Sequence, residues 1–450
     1  MVNFDVFRAY DVRGVYPTDI DEPAYYRIAQ GYVYTFRPKV VVVGADARLS
    51  SPSLKNALIS GLLDAGVDVV DIGNITTDML YFATGAYGYS GGIIVSASHN
   101  PGQYNGIKMV REGVTAISSD TGLLDIRDAL MAQKDMSVSS AKKGSLRTKE
   151  VIGDYVKHVL GFVHRASIKK LTFVGNANFG FVGKSVTPIA KELNLNLIPL
   201  NFEPDGSFPK GPPDPMLAGN RSETERLVRE SKADFGAAWD ADADRVMFFD
   251  ETGAFVSGVY MTALLATIML NKHGTHNKIL YDPRVVWPVE KAVSRIGGEA
   301  IMSKSGHAFM KDRLRSEDAL FAGELSAHYF FRDNFYADNG VIPLLLLLEH
   351  LSETEMKLSE VMRPFVADHY MTGELNYRVA DMKTIIGHVK ERFGPSGKED
   401  FTDGYSVESS TWRFNIRPSN TEPYLRLNVE ARSPEALEEM RVALERIIEG

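Results

Sequence analysis

Three times between residues 39 and 322 the chain passes from a short apolar run through a helix-spaced stretch into a second short apolar run. That rhythm restricts it to an α/β architecture, because strand, helix and strand at this spacing form a βαβ unit with parallel strands. The first cycle runs Val40–Val43, Leu54–Leu63 and Val67–Ile72, with Gly92–Val95 as a further strand. The second runs Leu171–Val174, Gly183–Leu193 and Leu195–Leu200, then a charged helical stretch at Glu223–Glu230 and the strands Phe235–Trp239 and Val246–Phe249. The third has strands at Lys278–Tyr281 and Leu320–Ala322 around helices near Glu290 and Lys311. Units of about a hundred residues in succession suggest a repeated fold, with no repeat visible residue by residue.

After Glu374 the rhythm changes. Strands at Glu374–Val379, Tyr405–Glu408, Trp412–Ile416 and Tyr424–Val429, with helices at Met382–Phe393 and after Ser433, read as an antiparallel α+β unit; Ser433 is the expected N-cap, with Pro434 in the first turn. The polar stretch Met131–Glu150, with Ser137, Ser139 and Ser140, marks a boundary. The expectation is α/β: three sequential α/β domains with mixed, mostly parallel sheets (1–150, 151–252, 253–368) and a C-terminal antiparallel α+β domain (369–450), in keeping with 450 residues.

Fifty Lys and Arg against 58 Asp and Glu give a net charge of −8, the wrong sign for binding nucleic acid through an overall field. The chain has no cysteine, so thiol nucleophiles and cysteine-ligated metals are excluded. The start, Met1-Val2-Asn3-Phe4-Asp5, does not read as a secretory signal, which points to a cytoplasmic protein. The apolar run Val341–Leu348 contains Pro343 and falls short of the ~20 residues of a membrane helix, so a buried helix is expected and no membrane partner.

Four loops carry chemistry. Ser98, in Ala97-Ser98-His99-Asn100-Pro101, leaves the carboxyl end of a predicted strand, where ligands sit in open parallel sheets. It can be an exposed nucleophile, or a turn whose side chains bond their own backbone. Asp240-Ala241-Asp242-Ala243-Asp244-Arg245 masses three carboxylates whose repulsion a cation would offset, and oxygen-only donors favour Mg²⁺. A calcium loop is the competing metal reading, with Glu251 at its twelfth position but Arg245 where glycine is needed. Arg417-Pro418-Ser419-Asn420-Thr421-Glu422-Pro423 offers a guanidinium, hydroxyls and an amide to a phosphate dianion, or is a turn fixed by its prolines. Gly323-Glu324-Leu325-Ser326-Ala327-His328 presents Glu324 to vicinal sugar hydroxyls, with Ser326 leaving room for the ring; Glu324 and the nearby Ser305-Gly306-His307 also have purely structural readings. A P-loop nucleotidase is a different-class alternative: Gly183-Lys184-Ser185 ends a strand-to-helix loop, although Asn178 stands where the phosphate cradle needs glycine.

Together, Ala-Ser-His-Asn-Pro at 97–101, Asp-x-Asp-x-Asp-Arg at 240–245, Gly-Glu-x-Ser at 323–326 and Arg-x-Ser-Asn-Thr-Glu-Pro at 417–423 resemble the α-D-phosphohexomutase family over essentially the whole chain. The opening Phe7-Arg8-Ala9-Tyr10-Asp11-Val12-Arg13-Gly14 resembles the family's as well. The resemblance implies four domains around a central cleft and reversible transfer of a phosphoryl group between hexose 1-phosphate and hexose 6-phosphate. The route is phospho-Ser98 and a hexose 1,6-bisphosphate, which also serves as activator. It implies Mg²⁺ on Asp240, Asp242, Asp244 and the Ser98 phosphate, and a non-reacting phosphate on Arg417, Ser419, Asn420 and Thr421. Lys108, His99, Arg13 and His307 become proton-transfer candidates, Lys108 first as general base if its surroundings lower its pKa, with His99 orienting the loop. Tyr10, Arg245, Arg284, Glu324 and Ser326 would contact the phosphosugar. Several positions depart from the family pattern: Ala241 and Ala327 replace common glycines, Arg284 a common lysine and Asn339 a common aspartate. Gly-Glu-Leu-Ser resembles phosphomannomutases and dual phosphomannomutase/phosphoglucomutases; phosphoglucosamine mutase, usually with glutamine at Leu325, is the runner-up. A catalytically silent sugar-phosphate-binding relative is the remaining alternative.

Overall fold

A computed structural model describes residues 2–132, 142–284, 286–419 and 424–450, so the linker serines 137, 139 and 140 and the site candidates Asn420 and Thr421 lie outside the described residues. The chain divides into two compact units, residues 1–256 with 328–359, and residues 257–327 with 360–450.

In the first unit, one sheet runs in the order Val12–Val15, Tyr104–Arg111, Gly91–Val95, Val40–Ala45, Asp68–Asn74, Leu146–Thr148, with Thr115–Ala116 paired to Tyr104–Arg111. Gly91–Val95 is the hinge of this pattern: it pairs in parallel with Val40–Ala45 and antiparallel with Tyr104–Arg111. Side-chain alternation sorts the strands between two layers, so Val41, Val43 and Ala45 join Ile93 and Val95 in one core. Leu54, Leu58 and Leu62, one helical turn apart, pack into it from Ser51–Asp64. Tyr25, Ile28 and Tyr32 do so from Glu22–Phe36, which starts on an Asp21 cap accepting from the Ala24 N–H at 2.8 Å. Each such leucine contributes about 1.5–3 kcal/mol by burial, so the strand that carries Ser98 is anchored from below.

The second sheet of this unit has the order Phe255–Val256, Val246–Phe249, Phe235–Trp239, Thr172–Asn176, Asn196–Leu200. The last three strands are parallel, and the first three form an antiparallel margin. The expected buried helix near Val341 spans Ile342–Thr354, and Asn339 Oδ1 accepts from the N–H groups of Val341 and Ile342 at 2.7 and 2.8 Å.

In the second unit, Glu299–Met302, Lys278–Tyr281 and Phe321–Gly323 are parallel. The same unit holds a fully antiparallel sheet, Tyr370–Arg378, Tyr424–Ala431, Trp412–Pro418, Tyr405–Glu408 and Lys398–Asp400. Its helices Met382–Phe393 and Pro434–Ile448 are capped by Asp381 and Ser433. Among the described residues no helix is long and apolar enough to cross a membrane.

Candidate active site

Ser98 follows a strand whose five residues are all buried, and its own φ is +50°, a left-handed conformation rare for a residue with a Cβ. Its N–H donates to Ser96 Oγ at 2.9 Å, and its Oγ donates to Asp240 Oδ2 at 2.8 Å. His99 Nδ1 stands 3.3 Å from the same Oγ. Gly106, on the antiparallel neighbour, lets three segments meet here: a Cβ on it would sit 2.4 Å from the Val12 carbonyl oxygen and 2.8 Å from that of Ser96. The register across this glycine brings Arg13 beside the loop, where its guanidinium donates to Asn100 Oδ1 at 2.6 Å and to Asp11. Tyr10, half-buried, acts electrostatically on that guanidinium.

The three aspartates occupy the turn between Phe235–Trp239 and Val246–Phe249, and each is fully buried. Ala243 takes a left-handed φ of +53° to make this turn. Asp242 Oδ2 accepts from Thr77 Oγ1 at 2.7 Å, Ser96 Oγ at 3.2 Å and Lys108 Nζ at 2.6 Å. Lys108 also donates to Asp244, and Arg245 Nε donates to Asp240 at 2.9 Å. His328 Nε2 lies 3.5 Å from Asp244 Oδ1. The structure thus brings Ser98, His99, Arg13, Lys108, Arg245 and the aspartates together. Thr77, Ser96 and His328, to which the sequence assigns no role, join them.

These residues fit a hard cation. One oxygen from each aspartate lies within 4.8 Å of the other two, and the buried Asp242 Oδ1 has no hydrogen-bond partner among the described residues. Three carboxylates face two fixed cations, Lys108 and Arg245, so with all three ionised one buried negative charge is left for a cation to offset. Burial, with the Asp244 and Asp242 charges added, pushes the Asp240 carboxyl up to about 7 against the pull of Arg245 and Lys108. Arg245 Nη2 is buried without a partner among the described residues, as a binder of anionic oxygen would be before its ligand arrives.

Lys108 departs from its expected condition. Burial works to lower its pKa, but the charges of Asp242, Asp244 and Asp240 and its hydrogen bond to Asp242 outweigh burial and hold it above the ordinary lysine value. In this arrangement Lys108 is held as a cation. Burial, then Arg245, Arg13 and Lys108, drive His99 well below the ordinary histidine value, so its ring is neutral. Two alternatives lose their geometry. Glu251 is occupied in accepting from the Ser359 hydroxyl and N–H, which removes the twelfth ligand of a calcium loop. Lys184 donates to the Asn74 carbonyl at 2.7 Å, so its ammonium is engaged outside any phosphate cradle.

In the second unit, Arg284 grips Asp282 through two N–H groups at 2.9 and 2.6 Å, and Asp282 in turn accepts from the Leu325 N–H at 2.8 Å. This fork fixes the loop that presents Glu324 and Ser326, with Arg284 3.6 Å from Glu324. Glu324 Oε1 accepts from the Gly306 N–H at 2.8 Å, which ties it to the start of helix His307–Ser316. Ala327 carries a φ of +64°, the conformation that explains glycine at this place. Arg417 is buried beside Glu374 (3.2 Å) and Asp403 (3.8 Å), with no partner for Nε among the described residues. Glu374, which the sequence marks only as the start of a strand, also meets Arg284 at 3.9 Å and Arg426 at 3.3 Å. The Ser419 N–H donates to the Tyr424 carbonyl at 2.8 Å, closing the base of the loop.

Four domain models of phosphoglucomutase/phosphomannomutase match in order: the alpha/beta/alpha domains I, II and III at residues 5–133, 153–253 and 257–368, and the C-terminal domain at 374–447. A phosphomannomutase of Salmonella typhimurium is 43% identical over 447 residues, 98% of each chain. A protein named for phosphohexose mutases in Xanthomonas campestris is 42% identical over 436 residues, 97% of each. The crystal structure of a phosphoglucomutase/phosphomannomutase family protein from Burkholderia thailandensis superposes with a TM-score of 0.90 at 30% identity, covering 99% of this chain and 97% of that one.

Proposed function

The chain belongs to the phosphoglucomutase/phosphomannomutase family and is a phosphohexomutase, and on that premise we propose that Ser98 carries the phosphoryl group that it exchanges with mannose and glucose phosphates. Phospho-Ser98 gives its phosphoryl group to the free O6 or O1 hydroxyl of the sugar monophosphate. The bond from phosphorus to the sugar oxygen forms, that to Ser98 Oγ breaks, and the hydroxyl proton leaves to a base in the site. The resulting 1,6-bisphosphate turns over, and Ser98 Oγ takes the other phosphoryl group by the reverse step. The observation that carries this reading is Ser98 Oγ, left-handed and buried, 2.8 Å from the first of three clustered aspartates.

The chain's own residues supply orientation and charge. Lys108, Arg245 and Arg13 surround the Ser98 loop with positive charge suited to the equatorial oxygens of a transferring phosphoryl group. Neutral His99 orients the serine hydroxyl. Mg²⁺ held by Asp240, Asp242, Asp244 and the Ser98 phosphate would neutralise charge on the transferring group. Arg417, Ser419, Asn420 and Thr421 bind the phosphate that does not react, while Glu324, Ser326, His307, Arg284 and Tyr10 contact the sugar phosphate.

The test combines mass and rate. The purified protein should be partly one phosphate heavier than its sequence, with the phosphate on Ser98. With Mg²⁺ and a catalytic amount of glucose 1,6-bisphosphate, mannose 1-phosphate and glucose 1-phosphate should turn over faster than glucosamine 1-phosphate. A strong preference for the amino sugar would overturn the sugar assignment, and full activity of Ser98→Ala would overturn the carrier.

A further inference from the structure

Arg48 lies just after Val40–Ala45, the parallel neighbour of the strand that delivers Ser98, and its side chain is wholly buried. All five of its N–H donors are used. Nε donates to Asp46 at 3.0 Å. One terminal nitrogen donates to the carbonyls of Pro101 (2.7 Å) and Tyr104 (3.0 Å), and the other to those of Ser98 (2.8 Å) and Asn100 (2.6 Å). Four carbonyls of one loop thus converge on a single planar fork, a pattern that only a guanidinium can match.

The fork is itself held from two sides. Asp46 Oδ1 accepts from the Arg48 N–H at 3.0 Å and from Ser51 Oγ at 2.6 Å, which locks the carboxylate against the helix start. The proline-rich loop after Asn201 covers the other side. The Phe208 ring lies 5.0 Å from the guanidinium carbon, and Gly206 pairs with Arg48 so closely that a Cβ would sit 2.0 Å from the Ala47 carbonyl oxygen. The backbone around Ser98 is therefore gripped at its carbonyl by Arg48 and at its N–H by Ser96. A left-handed non-glycine residue persists only where its surroundings over-determine it.

We propose that Arg48 is the positioning residue of the phosphoryl-transfer loop: its grip on the four carbonyls keeps Ser98 left-handed, with Oγ aimed at Asp240. The inference rests on Ser98 being the phosphoryl carrier. Arg48 has every donor committed inside the protein, so its loss should lower kcat and leave KM unchanged.

The test uses Arg48→Lys, whose ammonium has three donors and no fork, and the milder Asp46→Asn, which loosens the fork while keeping it. Glucose 1-phosphate turnover and single-turnover transfer of labelled phosphate from glucose 1,6-bisphosphate to Ser98 are measured per folded molecule, with folding followed by far-UV circular dichroism. For Arg48→Lys, kcat and the labelling rate should both fall about 10²-fold with KM within about threefold, the scale of a small misplacement of a reacting group. Asp46→Asn should fall about tenfold in the same two quantities. Wild-type kcat and labelling rate in a folded Arg48→Lys, or a loss confined to KM, would overturn the proposal. Should Arg48→Lys not fold, unchanged rates in Asp46→Asn would overturn it equally. Failure of the carrier reading looks different, since wild-type Ser98 would then take no label at all.

Discussion

Asp78 is expected to make the stability of the first unit fall as pH rises toward neutrality. It stands in the first turn of helix Thr77–Ala86, has no exposed surface, and accepts from Tyr155 Oη, the Met79 N–H (2.8 Å) and Thr76. Burial raises its carboxyl to about 7 from an ordinary 3.8; the hydrogen bonds from Thr76, Tyr155 and Met79 oppose the rise and the charge of Asp244 adds to it. A carboxyl raised on folding keeps its proton in the native state where the unfolded chain has lost it. Its contribution is therefore complete below about pH 4, declines by about 1.4 kcal/mol per pH unit, and is gone above about pH 7, some 4 kcal/mol in all. Asp78→Asn copies the neutral acid, keeps Oδ1 to accept from Met79 and Thr76 while its amide nitrogen faces Tyr155 Oη, and cannot titrate. Urea unfolding at pH 4.5, 5.5, 6.5 and 7.5, followed by circular dichroism, should show the variant gaining on the wild type by about that slope. A stability difference that stays constant across the series would refute the reasoning.

Cation binding should carry its own pH signature. If Asp240 titrates near 7, its proton must leave when a metal arrives, so Mg²⁺ affinity should rise about fivefold between pH 6 and pH 7 with measurable proton release; calorimetry in two buffers of different ionisation enthalpy reads both, and pH-independent binding would contradict the assignment. Glu374 shares its carboxylate among Arg284, Arg417 and Arg426, so a phosphate must compete with it. Glu374→Gln should lower KM for hexose phosphate about fivefold at low salt, less above ~0.5 M salt, and a raised KM would argue that Glu374 instead props the arginines in place.

Much of the scaffold was legible because buried strands here are short runs of Val, Ile and Phe between turn residues. Phe235–Trp239, Lys278–Tyr281 and Met382–Phe393 fall where periodicity put them. Tyr104–Arg111 escaped as a strand because Lys108 sits mid-run, and only the three-dimensional environment shows that two aspartates neutralise that lysine. For the same reason the sequence could offer Lys108 as a base: spacing gives proximity, whereas charge state depends on every neighbour at once. Arg48 had a local signal, Asp46-Ala47-Arg48 immediately after a strand, but its four carbonyl partners lie 50 to 56 residues away. Asn339, noted only as a departure from aspartate, caps a helix with its oxygen and donates its amide to Tyr155 Oη at 3.1 Å, a donation that an aspartate carboxylate cannot make.

The bond between Ser98 and Asp240 spans 142 residues of chain. On a ribosome adding about 5–20 residues per second, on the order of ten seconds separate the two side chains at birth. During that interval the first sheet's sequence, complete by Thr148, is already available to fold, while the aspartates and Phe208 are still unmade. The nascent chain therefore passes through a stage with Ser98 in place and its acidic partners unmade. On the proposed reading, Ser98 would be loaded only after the second sheet is made, so a chain stalled before residue 240 should carry no phosphate on Ser98.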